Sequence, residues 1–431
     1  MKKTLLILIL FAFDFMIFSQ APPGFRVSGR YLYDYNNEKV ILRGANAMIV
    51  YWDKYGLVNY PELAKTGANC CRIFWNLDYP TPTSSDLDKT IENCLANDMI
   101  PIPCLWEATG DWSQFQTCVD YWCSPEIAAI LQKYDKHLIL NIANEVGNDI
   151  TEQSLFRSRY NSAVEQIRNA GIHVPLIIDA DRWGRNAYSV INNGQYLLEQ
   201  DPDHNLIFSW HLWDPYYWGM GPKDTIKKVI DLAVAENICF IVGEFGPCEQ
   251  CDKCTATHIE WEYLIEYCHQ NEIGWLSWVW RWTDCHSLIT YNPGNYGEWA
   301  NSPWGVSIAV SSPYSIQNTS VRPGSITGQN DPGFSPGTNH FRVFPNPANN
   351  FLDIEYFIHE RSSISIDISD LSGRKIITLI NTEQLPGLHQ EHLNLFEDNN
   401  QLIADGIYIV QLRSTADTRT NLVSNKVQIL R

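Results

Sequence analysis

The chain has 431 residues, of which 45% are hydrophobic and 19% charged, and its formal net charge is −18. This composition is typical of a globular protein of about two or three domains and excludes an intrinsically disordered chain. The negative charge argues against nucleic acid and anionic lipid as partners, because both need a basic protein surface.

The N-terminal segment is typical of a secretory signal peptide. It begins with Met1-Lys2-Lys3 and continues as an apolar run over residues 5–18. That run is shorter than the ~20 residues of a membrane-spanning helix, and no later segment reaches that length. We therefore predict a signal peptide at residues 1–20, cleavage near residues 19–21 and export of the rest of the chain.

Residues 21–310 carry the pattern of a (β/α)8 TIM barrel, an α/β fold. After a hairpin signature around Asn36-Asn37, eight apolar runs alternate with amphipathic stretches. Continuous apolar strands are buried on both faces, as in a parallel sheet covered by helices. A doubly wound sheet is the alternative, although no glycine-rich dinucleotide fingerprint follows the first run. The runs cover residues 40–45, 69–75, 99–106, 137–144, 175–179, 206–211, 239–244 and 274–280.

The composition changes after the barrel. Residues 311–340 are rich in Ser, Pro, Gly, Asn and Thr, which is typical of a linker. Residues 341–431 alternate apolar and polar positions in short segments, separated by turn sequences such as PNPANN and LSGR. We therefore predict a linker followed by a small C-terminal antiparallel β-sandwich.

Twelve cysteines lie between Cys70 and Cys285. An even number in an exported chain favours disulfides, although the sequence does not define their pairing. The tightest cluster is CEQCDKC at residues 248–254, where a metal site would need a fourth donor such as Cys285 or His258. We expect structural disulfides there and no metal ion, since disulfides are the commoner use of cysteine outside the cytosol.

Two acidic residues lie where barrel runs end. Glu145 follows the run at residues 137–144, and Glu244 ends the run at residues 239–244. The C-terminal strand ends of a TIM barrel form its active site, so the fold brings both acids to one rim. Glycoside hydrolysis needs such a pair, with one carboxyl protonated for the leaving oxygen and the other ionised. A single strand-end Glu more often only pairs or caps, so the prediction depends on the pair.

Other strand ends carry polar and aromatic side chains that suit a sugar site. The sequence has 16 Trp and 21 Tyr, and flat amphipathic rings stack on the C–H faces of carbohydrate. A guanidinium beside one carboxyl would keep it ionised, whereas burial would raise the pKa of the other. The residues at these ends are Arg72, Trp106, Asn144, His211, Trp213, Trp278 and Trp280.

The barrel runs contain segments that match a known enzyme family in the family's own order. They are VILRGANA, NCCRIFWN, EATGD, LNIANEVGN, LIIDADRWGR, FSWHLW, FIVGEFG and GWLSWVW. Through them, residues 24–310 resemble glycoside hydrolase family 5, the retaining cellulase and mannanase family with a TIM barrel. Within that family the bacterial endo-β-1,4-mannanases are the most similar.

The resemblance implies Glu145 as acid/base and Glu244 as nucleophile of a retaining endo-β-1,4-glycanase that needs no cofactor. The implied substrate is mannan, glucomannan or another β-1,4-glycan. A β-1,4-glucanase is the alternative with the same chemistry, and a non-catalytic carbohydrate-binding protein is the alternative outside it. The implied supporting residues are Asn144 at the sugar 2-OH, Arg72 and His211 beside the carboxylates, Trp278 beneath the −1 sugar, and Trp183 in the cleft loop at residues 181–184.

Two positions depart from the family pattern. Trp106 stands where many relatives have His, and Trp213 stands where most have a Tyr whose hydroxyl contacts the nucleophile. Tyr216 and Tyr217 are the candidates for supplying that hydroxyl. If neither does, we expect the pKa of the nucleophile and the −1 subsite to differ from those of a typical mannanase.

The C-terminal region resembles a second known domain. The segments FRVFPNPANNFLDI, ISDLSGRKI and ADGIYIVQL are similar to the C-terminal sorting domain of the type IX secretion system of gram-negative bacteria. The resemblance implies export by that machinery, followed by release or surface attachment. A carbohydrate-binding module is the rival, but residues 341–431 contain no Trp for stacking on sugar. We expect an extracellular or surface-located monomer.

Overall fold

The structure is a computed structural model that divides into two compact units, Met1–Asn330 and Asp331–Arg431. The predicted signal peptide, the predicted linker beyond residue 326, Tyr216, Tyr217 and two cysteines of the cluster at residues 248–254 lie outside the described residues. Those described are residues 24–430 apart from 79–80, 215–218, 250–257, 302, 325, 327–340, 345–347, 349–350, 359–360, 372, 385–386, 396–402 and 417–418.

A small antiparallel sheet precedes the barrel and consists of β1 (Arg26–Ser28), β2 (Tyr31–Tyr33) and β3 (Lys39–Val40). The predicted hairpin is its second and third strands, and Asn37 adopts a left-handed φ of 67° in their turn. Phe25 before this sheet packs into one core cluster with apolar residues from the beginnings of the barrel strands. This end of the barrel is therefore filled by apolar side chains.

Eight parallel strands close into a barrel, which confirms the predicted fold. Every residue in them is buried, as expected for apolar strands covered by helices on the outside. The strands are β4 (Arg43–Ala47), β5 (Cys70–Trp75), β6 (Ile100–Leu105), β7 (Leu140–Asn141), β8 (Leu176–Asp179), β9 (Leu206–Leu212), β10 (Phe240–Phe245) and β11 (Gly274–Ser277).

Strand β7 is only two residues long, although the apolar run around it covers residues 137–144. Pairing continues irregularly beyond it, since Ile142 N–H donates to Ile177 O at 3.2 Å and Asn144 N–H to Leu105 O at 2.8 Å. Glu145 therefore still emerges at the C-terminal rim of the barrel.

The helices of the first unit are α1 (Asn59–Ala64), α2 (Ser84–Ala96), α3 (Phe115–Cys123), α4 (Pro125–Lys133), α5 (Gln153–Asn169), α6 (Ala187–Gln200), α7 (Pro222–Ala235), α8 (Trp261–Gln270), α9 (Trp304–Val306) and α10 (Ile316–Thr319). A capping box of Thr83 and Asp86 begins α2, and Pro occupies the first turn of α4 and α7. Among the residues that the structure describes, no helix has the length and apolarity to span a bilayer.

The second unit consists of two antiparallel sheets around one apolar core, as predicted. Ile354 of one sheet and Ile366 of the other are both fully buried in this core. One sheet has the order β12-β13-β16 and the other β15-β14-β17-β18. The strands are β12 (Phe341–Phe344), β13 (Phe351–Ile358), β14 (Ser362–Asp370), β15 (Lys375–Gln384), β16 (Gly387–Asn394), β17 (Gly406–Ala416) and β18 (Arg419–Ile429).

The expectation that the cysteines form a disulfide framework is wrong for nine of them. These residues carry thiols, most of them buried in strands and helices where they pack as small apolar side chains. Burial raises the pKa of Cys239 and Cys268 to about 12, so both thiols stay protonated. Cys285 is disulfide-bonded. Cys248 pairs with His258 through the backbone, while the side chain that lies beside its thiol is His286, with 3.6 Å between Nε2 and Sγ.

Candidate active site

The C-terminal rim of the barrel brings together residues from four strands. Arg72 lies in β5, Glu145 follows β7, His211 lies in β9 and Glu244 in β10. Parallel strands end on the same rim, so Arg72 and Glu244 touch although 172 positions separate them.

A glycine allows Glu244 and His211 to lie side by side. The two residues are partners in the register of β9 and β10, where β10 is irregular after Val242. A Cβ on Gly243 would lie 2.2 Å from Ser209 Oγ and 2.9 Å from His211 Nε2. Only glycine leaves room for this approach, which places the imidazole beside the carboxylate.

Arg72 is the centre of the hydrogen-bond network in the site. Its side chain is 1% exposed, and each of its N–H groups donates to a side-chain oxygen. The acceptors are Asn141 at 2.7 Å from Nε, Asn46 at 3.0 Å and Glu244 at 2.7 Å from Nη1, and Asn144 at 2.7 Å and Asp179 at 2.9 Å from Nη2. Because all of its N–H groups are hydrogen-bonded, the guanidinium is fixed in orientation. Its positive charge favours the ionised forms of Glu244 and Asp179.

Glu145 leaves β7 in a left-handed backbone conformation. Its φ is 44°, which residues other than glycine rarely adopt. Its N–H donates to Asp179 Oδ2 at 3.2 Å, and its carbonyl accepts from Gly110 N–H at 2.9 Å. These bonds hold the turn that carries the side chain to His211, whose Nδ1 lies 2.7 Å from Glu145 Oε1.

Glu244 is the more enclosed of the two acids, with 4% exposure against 9% for Glu145. Burial raises the pKa of Glu244 to about 7, with His211 opposing the rise and Glu145 adding to it. One carboxylate oxygen of each glutamate lies within 4.8 Å of the other. Two carboxylates this close repel each other, and this repulsion adds to the raised pKa of Glu244.

His211 is a charged histidine despite complete burial. Burial alone would lower the pKa of its imidazole, but the charges of Glu244 and Asp179 together raise it to about 10. His211 Nδ1 lies 3.5 Å from Glu244 Oε2 in addition to its contact with Glu145. The imidazolium therefore lies between the two glutamates at neutral pH.

The indole of Trp213 contacts the carboxylate that the sequence predicted as nucleophile. Its Nε1–H donates to Glu244 Oε2 at 3.3 Å, from the residue that directly follows β9. Tyr216 and Tyr217, the candidates for a hydroxyl donor to Glu244, lie outside the described residues, so that part of the expectation stays a prediction. The departure from the family pattern thus leaves Glu244 with an N–H donor from an indole.

An aromatic wall stands beside the acids and is formed by Phe74, Trp106 and Trp278. The ring centroids of Trp106 and Trp278 are 6.0 Å apart at 31°, and Phe74 meets both rings edge-on at 4.8 and 5.1 Å. Trp183 is 41% exposed on the loop after β8, close against Gly110, where a Cβ would lie 2.3 Å from its Nε1. Phe74 and Trp278 are buried, whereas Trp106 and Trp183 are at least partly exposed and provide ring faces on which a sugar can stack.

Trp280 does not reach the cleft. It is fully buried, and its backbone N–H donates to Asn46 O at 2.9 Å. Strand β11 ends at Ser277, so both Trp278 and Trp280 lie beyond the strand, and Trp280 is not at a strand end as predicted. Trp280 belongs to the core behind the wall.

Three polar residues of the network were missed in the sequence. Asp179 ends β8, and Asn46 and Asn141 lie inside β4 and β7, where all three are fully buried. The signal was available, because a polar side chain within a continuous apolar run must find a buried partner. The identity of that partner depends on which strands are neighbours, and a single run does not contain this information.

Two family descriptions match the chain. Residues 60–284, a little over half of it, match cellulase (glycosyl hydrolase family 5). Residues 342–425 match the secretion system C-terminal sorting domain.

Several relatives share the barrel part of the chain. A mannan endo-1,4-beta-mannosidase of Salipaludibacillus agaradhaerens is 29% identical over 60% of this chain and 82% of its own length. Another from Cellvibrio japonicus is 26% identical over 74% of this chain and 73% of its own. The catalytic domain of a mannanase from Streptomyces sp. SirexAA-E superposes with a TM-score of 0.62 at 21% identity, covering 72% of this chain and 97% of that one, which supports the fold.

Proposed function

Because the chain belongs to the cellulase family, glycosyl hydrolase family 5, and is therefore a glycoside hydrolase, we propose that it is a retaining endo-β-1,4-mannanase. The observation that carries the mechanism is that one carboxylate oxygen of Glu145 and one of Glu244 lie within 4.8 Å of each other. Retaining glycosidases hold their two carboxyl groups ~5–5.5 Å apart, whereas inverting enzymes need ~6.5–9.5 Å to admit a water molecule.

In the first step, Glu145 gives its proton to the glycosidic oxygen while Glu244 attacks the anomeric carbon. The bond from that carbon to the leaving sugar breaks, and a covalent glycosyl-enzyme forms. Glu244 suits the nucleophile because Arg72 and the Trp213 indole donate to it and favour its ionised form. Glu145 suits the acid because neither Arg72 nor the Trp213 indole donates to it. Burial raises the pKa of Glu244, so the proton has to lie on Glu145 when Glu244 attacks.

In the second step, Glu145 acts as the base. Its carboxylate takes a proton from a water molecule, whose oxygen attacks the anomeric carbon and releases Glu244. The returned proton restores the starting state. The left-handed turn at Glu145, bonded on both sides, keeps the side chain in reach of both the leaving sugar and the water.

The relatives support mannan as the substrate. Two curated relatives with extensive coverage are mannan endo-1,4-beta-mannosidases, and another is a beta-mannanase/endoglucanase A of Caldicellulosiruptor saccharolyticus. We propose that Asn144, whose Oδ1 accepts from Arg72, contacts a sugar hydroxyl and that Trp278 offers a ring face. A β-1,4-glucanase with the same double displacement is the second candidate, favoured by the family name.

The C-terminal unit supports export. It carries the secretion system C-terminal sorting domain, and the proposed route is the type IX machinery after removal of a signal peptide. The proposed location is the medium or the cell surface, where a polysaccharide substrate is accessible.

The test is a reducing-sugar assay on mannan, glucomannan, cellulose, lichenan and xylan, with wild type, Glu244→Gln and Glu145→Gln. We expect mannan or glucomannan to be preferred and product to appear first as the retained anomer by NMR. Loss of the nucleophile should abolish turnover, and loss of the acid should slow it ~10²- to 10⁴-fold on polysaccharide.

The matched control is Glu272→Gln, which removes an acid paired with Lys39 near the opposite end of the barrel and should keep wild-type activity. A clear preference for cellulose or lichenan would replace mannanase by glucanase. Unchanged activity of Glu244→Gln would refute the assigned site.

A further inference from the structure

Asp179 is a third buried carboxylate in the site, and the double displacement gives it no role. It ends β8 with no exposed surface. Its Oδ2 accepts from Arg72 Nη2 at 2.9 Å and from the backbone N–H of Glu145 at 3.2 Å, and it lies 3.6 Å from His211 Nε2. The Asp179 carboxylate thus faces Arg72, His211 and the turn that carries Glu145.

His211 has a carboxylate on both sides of its ring. Asp179 faces Nε2, while Glu145 and Glu244 lie 2.7 and 3.5 Å from Nδ1. A neutral imidazole has one N–H and one lone pair, and a lone pair aimed at a carboxylate is repelled. An imidazolium presents N–H at both nitrogens, and the charges of Glu244 and Asp179 raise the pKa of His211 to about 10, so the ring is charged at neutral pH.

The charges of the site allow one proton on the glutamate pair. Arg72 and His211 carry two positive charges, and Asp179 with the two ionised glutamates carries three negative ones. A buried cluster is least costly near neutrality, so one glutamate stays protonated. Without the charge of Asp179, the cluster would be neutral with both glutamates ionised, and no acid would remain.

The other titratable groups that face Asp179 do not change this balance. Cys104 on β6 and Tyr160 on α5 lie nearby, and the Tyr160 hydroxyl is 3.4 Å from Asp179 O. Burial raises the pKa of both groups well above the usual range, so they remain uncharged at working pH. The balance rests on the two cations and three carboxylates.

We propose that Asp179 is a positioning residue whose negative charge offsets that of the His211 imidazolium and thereby keeps the catalytic proton on the glutamate pair. The inference rests on the proposed function, since the site needs a proton only if it performs general acid catalysis. Asp179 also orients Glu145 through the backbone bond, but the charge is the part that a pH profile detects.

The test compares full-length wild type and Asp179→Asn on mannan and on a dinitrophenyl β-mannooligosaccharide between pH 4 and pH 10. The variant removes a negative charge, which lowers the pKa of the acid, so the basic limb on mannan should move down by roughly one pH unit or more. At pH 7 activity on mannan should fall ~10- to 1,000-fold, the size expected for loss of general acid catalysis. Activity on the dinitrophenyl substrate should fall less than about tenfold, because its leaving group departs without a proton.

Asp201→Asn is the matched control, since it breaks another buried pair, Arg168–Asp201, outside the site. It should lower stability without moving the pH profile. The proposal would be overturned if Asp179→Asn lost activity equally on both substrates and the basic limb of its pH profile did not move. Asp179 would then have a structural role only.

A second measurement needs no folded variant of Asp179. In wild type labelled with ¹⁵N-histidine, the His211 signal, identified by its loss in His211→Asn, should show an imidazolium at pH 8. A neutral ring at pH 7 would overturn the inference. A charged ring in a protein that does not hydrolyse any of the tested glycans would instead reject the proposed function alone.

Discussion

At the scale of single residues, the least expected feature is the indole that contacts Glu244, the proposed nucleophile. Trp213 is held from behind by His286, whose ring centroid lies 5.1 Å away, and His286 Nε2 is 2.9 Å from Cys248 O. Burial lowers the pKa of His286, so it packs as a neutral ring that donates to that carbonyl. The indole N–H is therefore directed at Glu244 by packing as well as by its own hydrogen bond.

Replacing Trp213 by Phe keeps an aromatic ring and removes the donor. A hydrogen bond to a charged group contributes about 1.5–3 kcal/mol, so we expect kcat on mannan to fall roughly 10- to 100-fold. Glu244 would be less stabilised as a carboxylate, its pKa would rise, and the acidic limb of the pH profile would move to higher pH. Kinetics from pH 3 to pH 8 measure both effects.

Trp261→Phe is the control for this substitution, because Trp261 is a buried indole on α8 that packs against Trp304 away from the acids. It should leave the pH profile in place. An unmoved acidic limb in Trp213→Phe would mean that the indole only fills space.

Much of the site could be predicted from residue types at strand ends, and the failures have physical causes. Glu145, Glu244, Arg72 and His211 were found because each ends or interrupts an apolar run. Asp179 also ends an apolar run, but its role depends on the His211 imidazole of β9, which lies beside it. The local sequence around Asp179 does not show that β8 and β9 bring these two residues together. The burial of Trp280 could not be predicted either, because the chain no longer follows strand geometry after β11.

At the scale of elements, the cap at the beginning of α2 also holds a neighbouring loop segment. Asp86 closes the capping box of α2 and also accepts from Tyr55 and pairs with Lys54 at 3.0 Å. Burial alone would raise the pKa of Asp86, but its bonds to Thr83, Lys54 and Tyr55 lower it to about 2. This carboxylate therefore couples the first turn of α2 to the segment before α1.

The lowered pKa predicts an acid-dependent share of stability. A carboxyl with a folded pKa of about 2 and an ordinary value of 3.8 stabilises the fold above pH 4, and this contribution is lost as pH falls from 4 to 2. Asp86→Asn should lower the free energy of unfolding at pH 7 by roughly 1–2 kcal/mol and have little effect at pH 2. Urea unfolding followed by Trp fluorescence at both pH values measures the difference.

Asp88→Asn is the matched control within the same helix. Asp88 pairs with Lys133 at the surface, with 36% and 53% of the two side chains exposed, and such pairs contribute little. An equal loss of stability in Asp86→Asn at pH 7 and pH 2 would contradict the assigned role of the charge.

The elements themselves could be predicted better than their lengths. Eight apolar runs predicted eight strands, but the run at residues 137–144 gave only the two-residue β7. Its backbone turns early because Glu145 takes a left-handed φ and its N–H is drawn to Asp179. Hydrophobicity predicts burial here, while the hydrogen bonds of the site decide where the strand ends.

At the scale of the whole molecule, the two units have separate cores. Every contact described for the site comes from residues of the first unit, and the core of the second is formed by its own strands. All 16 Trp residues precede residue 331. Trp fluorescence therefore reports on the barrel alone, while activity reports on its rim.

These separate cores predict that catalysis does not need the sorting domain. A chain ending at Asn330 should hydrolyse the preferred glycan within about twofold of the full-length rate and unfold at a similar midpoint, since units with their own cores fold independently. The matched control is Ile366→Asp in the full chain, which places a charge in the second core and should unfold that unit without changing Trp fluorescence or activity. If either change abolished hydrolysis, the second unit would have to support the barrel directly, and the view of it as a separable export domain would be wrong.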